Sequence, residues 1–194
     1  AKARLMRGPS GNIYSISKLF ENFDTFGTMN ATKRGENKTF YHAYLEITEN
    51  LEGYEEMLAV TLLLGRDDCH KSNWGVVKNG VRKLAATFDY GVAAMESPFS
   101  MYELLKTCGH FHERIVSEKF LHACEAVIEK FEKNHDEIEA ALFKGIEAAE
   151  ASFWWWEVPT VNDIMRIFSA HKRQLKHLCH HIRAELAILN GDPQ

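Results

Sequence analysis

The sequence has few cysteines, and it has neither a long apolar run nor an excess of positive charge. Its four cysteines lie far apart and form no CxxC pair: Cys69, Cys108, Cys124 and Cys179. This spacing argues against a disulfide framework and favours free thiols in a reducing compartment. No apolar run reaches the roughly 18 residues that a membrane span needs, and the first residues do not form a signal peptide. We therefore expect an intracellular protein, either soluble or peripherally associated with a membrane.

Positive charge is also scarce, because 23 basic residues face 27 acidic ones and the formal net charge is −4. This balance argues against a nucleic-acid partner, which usually requires a concentrated basic surface. With 45% hydrophobic residues in 194, the chain can bury the core of a single domain or lobe that covers residues 1–194. Because Ala1-Lys2-Ala3 is not a natural initiator, we also expect a longer parent protein.

One motif dominates what is present. Asp68-Cys69-His70-Lys71-Ser72-Asn73 is followed, sixteen residues after the asparagine, by Asp89-Tyr90-Gly91. An acid, an amide five residues later and a second acid just before a glycine form the arrangement with which kinases hold a hydroxyl and magnesium against ATP. The motif predicts a phosphotransferase or a part of one.

A hairpin is predicted between the two halves of this motif. Trp74–Lys78 is typical of a strand, Asn79-Gly80 is a strong turn signal, and Val81–Phe88 supplies the returning strand. The turn brings the chain after Asn73 alongside the chain before Asp89. Two side chains that are distant in sequence can then bind one metal ion together.

Each position of the motif suits a step of phosphoryl transfer. Asp68 would orient or deprotonate the acceptor hydroxyl, and Asn73 and Asp89 would supply the neutral and charged oxygen ligands that Mg²⁺ prefers. His70 could hydrogen-bond Asp68 or the transferring phosphate, or share the role of base, because its reference pKa lies near neutrality. Gly91 would let the chain turn sharply after Asp89.

The remaining sequence predicts a mainly α-helical protein. Residues 1–53 are the hardest to interpret: Ile13–Phe23 has helix-like apolar spacing and Gly27–Gly35 resembles a loop. Tyr41–Leu64 is helical with an interruption near Asn50–Gly53, and its second half should be buried.

Residues 54–95 would carry the motif and the one small hairpin, and residues 96–194 would form a helical bundle. Its expected helices run from Ser97-Pro98 to about Cys108, from Ile115 to Phe131, from Asp136 to about Ala151, and from the capped Thr160–Asp163 start to Asn190-Gly191.

The segment Leu62–Asn73 resembles the catalytic loop of the phosphatidylinositol 3- and 4-kinases, and Thr87–Gly91 resembles their Asp-Phe-Gly segment. The resemblance implies a helical carboxy-terminal kinase lobe that uses ATP and Mg²⁺. It also implies catalytic roles for Asp68 and His70. Asp-x-His-x-x-Asn is similar to the loop of HipA-like protein kinases as well. Ordinary protein kinases fit less well, because they have histidine where this chain has Arg66.

In the same comparison, Asn73 and Asp89 correspond to the magnesium ligands. The likeness covers roughly residues 54–95, and no convincing glycine-rich loop or strand lysine precedes it. We therefore expect the ATP-clamping lobe to be missing, reduced or elsewhere in the parent.

Val92–Tyr102 contains no lysine or arginine that could bind a multiply phosphorylated head group. The acceptor is left open between a phosphoinositide lipid and a protein hydroxyl, and a catalytically silent helical interaction module is the alternative.

Two further groups of residues permit other interpretations. Phe153-Trp154-Trp155-Trp156 could contact a bilayer interface, or it could pack in the core as large aromatic side chains usually do. Two clusters of cysteine and histidine suggest zinc, although their spacing is too loose to favour it. These clusters are Cys108, His110 and His112, and His177, Cys179, His180 and His181.

Overall fold

The computed structural model describes residues 3–7, 13–17, 22–35, 39–49, 51–65, 73–79, 82–87, 100–152 and 159–191. Its elements, in chain order, are β1 (Ala3–Arg7), β2 (Ile13–Ser17), β3 (Phe23–Thr25), α1 (Phe26–Gly35), α2 (Phe40–Glu49), α3 (Tyr54–Leu63), β4 (Trp74–Asn79), β5 (Arg82–Thr87), α4 (Met101–Thr107), α5 (His112–Ile115), α6 (Glu118–Lys133), α7 (His135–Ser152) and α8 (Val161–Asn190). Helices account for most of this part of the chain, and the mainly α-helical prediction is confirmed.

The strands form two antiparallel sheets. β4 and β5 make the predicted hairpin, in a register that runs from Trp74 opposite Thr87 to Asn79 opposite Arg82. β3 pairs with the other edge of β4, so the strand order is β3-β4-β5, and β1 and β2 form a second sheet. The expectation of one small hairpin alone is therefore wrong.

The first part of the chain also differs from its sequence pattern. Ile13–Ser17 is a strand rather than the start of a helix, because β-branched and aromatic residues favour pairing once β1 offers an edge. The predicted loop Gly27–Gly35 is α1. This helix begins where Thr25 Oγ1 accepts a hydrogen bond from the Thr28 amide at 3.1 Å. Packing of its buried Phe26 against α2 outweighs the weak helix propensity of its composition.

The helical prediction for residues 41–64 is confirmed, including the interruption. α2 ends at Glu49, and Gly53 has φ +74° at the start of α3, a conformation that glycine adopts without steric cost. Most of α3 is buried, as the increasing apolar character of its sequence indicates. The chain therefore enters the motif from the interior of the protein.

The caps of α8 agree with the prediction, whereas α4 begins later than expected. The capping box between Thr160 and Asp163 starts α8, and Gly191 ends it with φ +75°. α4 begins later than Ser97-Pro98, because the Ser100 side chain accepts from the Glu103 amide and caps the helix there. Near the end of α8, Ile188 and Leu189 are exposed, at 56% and 66%.

The core lies where α3 packs against α6 and α8. Its fully buried aliphatic and aromatic side chains include Leu58, Leu62, Phe120, Leu175 and Ile182. Complete burial of such a side chain contributes about 1.5–3 kcal/mol, so this contact holds α3 rigidly before the motif. Within the described ranges, no helix has both the length and the apolar character needed to cross a membrane.

Candidate functional site

The hairpin pairs the strand that begins directly after Asn73 with the strand that ends at Thr87. Asn73 directly precedes Trp74, and Trp74 lies opposite Thr87 in the register of β4 and β5. Asp89 follows Thr87 by two residues. Asn73 and the last residue of β5 therefore lie at the same end of the hairpin, whereas Asp89 lies outside the described residues.

Trp74 fixes the position of Asn73 through an aromatic cluster. The Trp74 ring stacks on Phe26 with ring centroids 4.4 Å apart and on His110 with centroids 6.0 Å apart. Tyr54 approaches the same ring at 5.4 Å in a tilted geometry. The side chain of Trp74 is buried, and so is Asn73. Such close packing holds the Asn73 backbone in one position, as a metal ligand requires.

The other end of the loop is held at the end of α3. Gly65 is buried and has φ +64°, and its amide donates to the Leu62 carbonyl at 3.0 Å. The imidazole of His171, from α8, contacts this turn. Its Nδ1 atom lies 3.2 Å from the carbonyl oxygen of Leu63. Residues 66–72 thus begin and end at two points of fixed, buried backbone.

A backbone bridge joins the start of α3 to the hairpin. The Glu52 amide donates to the Lys83 carbonyl at 2.9 Å, and the Ala85 amide donates to the Glu52 carbonyl at 2.8 Å. Glu52 therefore pairs with Leu84 of β5 in a parallel bridge. The helix that precedes the motif and the strand that leads into Asp89 are connected directly.

Most of the predicted site residues lie outside the described part of the chain. These are Asp68, His70, Asp89 and Gly91, together with the aromatic residues Trp154, Trp155 and Trp156. Asn73 is the predicted metal ligand that the structure describes. The structure thus supplies the supports at both ends of the predicted site, and the roles of the residues between them stay predictions.

A buried polar cluster lies directly behind the hairpin and was missed from the sequence. The Tyr54 hydroxyl lies 2.7 Å from His110 Nδ1, and the Tyr44 hydroxyl contacts both Tyr54 and His110. Burial raises the pKa of Tyr44 to about 12 and places the pKa of Tyr54 well above its ordinary value. No local pattern indicates this cluster, because its members come from α2, α3 and the segment after α4.

An ion pair borders this cluster. Arg114 Nη2 donates to Glu55 Oε1 at 2.7 Å and to the Thr48 carbonyl at 3.0 Å, while its guanidinium lies over the Tyr54 ring. Both charged side chains are mostly buried, with 16% and 10% exposure. Removing one partner of such a pair costs about 3–5 kcal/mol, because the other charge is left without compensation.

The structure separates the first cysteine and histidine cluster. His110 points inward to Tyr54, whereas His112 lies at the surface with Nδ1 2.9 Å from the Tyr102 hydroxyl. Cys108 is half-buried at the end of α4. These side chains do not converge on one point, so they cannot share a metal ion in this arrangement.

The second cluster is divided between the two faces of α8. Cys179 points into the core, where its thiol hydrogen-bonds Cys124 of α6, and this bond together with burial raises the pKa of Cys124. His177, His180 and His181 are exposed on the opposite side of the helix. Zinc coordination by this cluster is therefore not supported by the structure.

A different group has the spacing of a metal site. The ligand atoms of His135, Asp136 and Glu139 lie within 4.8 Å of one another, and they are the one such group among the described residues. In the sequence, Asp136 with Glu139 predicts the capped start of a helix, and no metal site was expected here. His135 and Asp136 lie in the first turn of α7 and Glu139 directly after it, near the positive end of the helix dipole, which disfavours a cation. We therefore assign them no metal-binding role.

Comparison with known proteins adds no further assignment. The chain matches no protein-family model, and no curated protein or solved structure matches it. Its function is therefore argued from its own residues and their geometry.

Proposed function

We propose that this chain is the catalytic lobe of an ATP- and Mg²⁺-dependent phosphotransferase that acts on a hydroxyl acceptor. A phosphoinositide lipid is the first acceptor to consider, and a protein hydroxyl, as in HipA-like kinases, is the second. The observation that carries the proposal is the register of β4 and β5, with Trp74 opposite Thr87. This register supports the joint use of Asn73 and Asp89, which the motif predicts.

The donor set suits magnesium. Asn73 offers an amide oxygen and Asp89 a carboxylate, which are the hard oxygen ligands that Mg²⁺ binds. When bound, the ion would neutralise charge on the ATP phosphates. Asp68 would orient the acceptor hydroxyl and accept its proton, and His70 would hold Asp68 or the phosphate through a hydrogen bond. The rigid supports around Asn73 favour such chemistry, because phosphoryl transfer depends chiefly on positioning.

The hairpin of β1 and β2 offers a place to seek the nucleotide-covering element. The five residues between these strands are Gly8-Pro9-Ser10-Gly11-Asn12. Kinases cover the ATP phosphates with a glycine-rich loop, whose small residues let backbone amides approach the phosphates. The sequence alone did not indicate two strands here, so the strand pairing supports testing this loop.

Thermal unfolding with and without Mg²⁺ and ATP tests the proposal. A ligand at 100 times its dissociation constant stabilises the folded state by about 2.7 kcal/mol, so the wild-type protein should melt at a higher temperature. Asp68→Asn and Asp89→Asn should abolish transfer of the labelled γ-phosphoryl group, and Asp89→Asn should also reduce the magnesium-dependent shift. Asp67→Asn, in the adjacent position, is the matched control and should leave both unchanged. A wild-type protein with neither shift nor transfer would contradict the proposal.

The acceptor can be tested separately. Transfer to phosphatidylinositol vesicles and transfer to serine-containing protein are measured in parallel with the same enzyme.

If Trp155 and Trp156 contact the bilayer, replacing both with alanine should reduce co-sedimentation with vesicles while the melting temperature is maintained. Unchanged sedimentation of a folded variant would contradict the membrane contact and leave phosphoryl transfer itself unaffected.

One observation favours a second candidate, a helical interaction module without catalysis. A groove of about 820 Å³ lies between α7 and the start of α8, and Phe143 in its wall is 55% exposed. Phe143, Ile146 and Val161 give this groove an apolar wall, and contiguous apolar surface can mark an interaction site. Under this alternative the protein would bind no nucleotide, and Asp68→Asn and Asp89→Asn would leave its partner binding intact.

A further inference from the structure

The His171 side chain connects α8 to the point where the catalytic motif begins. His171 is only 3% exposed, and its Nδ1 lies 3.2 Å from the Leu63 carbonyl oxygen at the end of α3. A carbonyl only accepts, so Nδ1 carries the hydrogen and donates it. The partners are separated by 108 positions in the sequence, yet they form a buried hydrogen bond directly before residues 66–72.

Gly65 shows how closely the imidazole approaches this turn. A Cβ atom at position 65 would lie 1.9 Å from Cε1 of His171 and 2.5 Å from its Nδ1. Such distances are far below van der Waals contact, and the positive φ of Gly65 would strain any other residue as well. The imidazole therefore packs directly against glycine backbone, and neither side can move without the other.

We propose that His171 is a positioning residue for phosphoryl transfer, because it anchors the start of the loop that carries Asp68. Asp68 is three residues beyond Gly65, and the far end of the loop is held at Asn73 by the buried Trp74. The position of the backbone at Gly65 and Asn73 bears on the chemistry, because an error of about 1 Å in the position of a reacting group can lower a rate by about 100-fold. The role in catalysis rests on the proposed function, whereas the anchoring itself does not.

The inference makes α8 part of the support of the site. His171 lies in the first half of this helix, whose other buried residues pack against α3 and α6. A change at His171 itself should then affect the loop, although His171 lies far from Asp68 in the sequence.

Three substitutions on α8 separate anchoring from general stability. His171→Leu retains apolar volume and removes the donor, while His171→Asn retains an N–H that can reach the Leu63 carbonyl. Leu178→Ala removes buried volume two turns further along α8 and is the matched control. Amide hydrogen exchange at Leu64 and Gly65, whose amides donate to the Val60 and Leu62 carbonyls, and tryptic cleavage after Arg66 and Lys71 are measured under conditions where each variant is folded.

We expect at least tenfold faster exchange and cleavage in His171→Leu, wild-type behaviour in Leu178→Ala, and partial rescue in His171→Asn. Wild-type rates in folded His171→Leu, or equal acceleration in Leu178→Ala, would overturn the anchoring.

Thermal unfolding provides a second measurement: Gly65→Ala should lower the melting temperature less in a His171→Ala background than in the wild type. An equal decrease in both backgrounds would also overturn it.

Kinetics test the catalytic part of the inference. In His171→Leu we expect kcat to fall at least tenfold while KM for ATP stays within about twofold, because positioning acts on the transition state. An unchanged kcat, or an equal fall in Leu178→Ala, would overturn the positioning role. If the wild-type protein transfers no phosphoryl group, the proposed function fails, and the exchange data still decide whether His171 anchors the loop.

Discussion

The hydroxyl of Tyr54 lies 2.7 Å from Nδ1 of His110 inside the protein, and this contact joins α3 to the segment between α4 and α5. Tyr44 completes the buried cluster, and the stack of Trp74 on His110 connects it to the hairpin. Two phenol groups without access to water resist ionisation. The region around the candidate site should therefore lose stability at alkaline pH.

We expect the free energy of unfolding to fall as the pH rises from 10 to 12. Burial raises the pKa of Tyr44 to about 12, so the unfolded state loses its proton first and is favoured above pH 10. This contribution to stability is fully present below pH 10. Once the pH has risen above the pKa of Tyr44 in the folded protein, about 2–3 kcal/mol has been lost. Urea unfolding at a series of pH values should show a smaller decline in Tyr44→Phe. Tyr102→Phe, at the surface, is the control, and an unchanged decline in Tyr44→Phe would contradict the prediction.

Asn73→Ala should weaken magnesium binding at the candidate site. If the Asn73 carbonyl is a ligand, its removal should raise the Mg²⁺ concentration for half-maximal activity by at least about tenfold. The matched control is Asn79→Ala, because Asn79 is exposed at the opposite end of β4. A magnesium titration of both variants decides the question. Equal responses from the two would show that Asn73 is not a ligand.

Gly75→Ala should destabilise the sheet. A Cβ atom there would lie 2.2 Å from the Asp24 carbonyl oxygen and 2.7 Å from the Phe23 ring, so β3 would have to move away from β4. We expect a loss of about 1–3 kcal/mol in denaturant unfolding, as for other overpacked sites.

Gly145→Ala is the control for this prediction. Gly145 lies in α7, and a Cβ there meets no other atom within 4 Å. Alanine should stabilise the helix by about 0.5–1 kcal/mol, because glycine loses more backbone entropy on folding. Similar effects of the two substitutions would contradict the close approach of β3 and β4.

Asn30→Leu should stabilise the protein. Asn30 is 3% exposed, and in the described ranges neither its amide nitrogen nor its oxygen has a hydrogen-bond partner. Replacing such a group with an apolar side chain that branches at the same carbon should add about 1–3 kcal/mol to the free energy of unfolding. Asn162→Leu, on the exposed side of α8, corrects for the change in helix propensity. A net loss of stability in Asn30→Leu would indicate that a bound water satisfies the amide.

The sequence predicted the features that depend on neighbouring residues. Asn79-Gly80 predicted the hairpin and its position, and Thr160 with Asp163 predicted the start of α8. Ile13–Ser17 was assigned wrongly, because five residues with mixed spacing take their structure from the available partner, which is β1. The late start of α4 was missed because Ser97 and Ser100 could both act as its cap.

The sequence by itself determined the order of the candidate site: a buried helix, the Asp68–Asn73 motif, a hairpin, and Asp89 before a glycine. It did so because turns, caps and strand alternation act over a few residues. Only the tertiary structure decided what holds this order in place. His110 behind Trp74 and His171 against Gly65 come from distant parts of the chain. Contacts of this kind arise from helix packing, and no local sequence pattern encodes them.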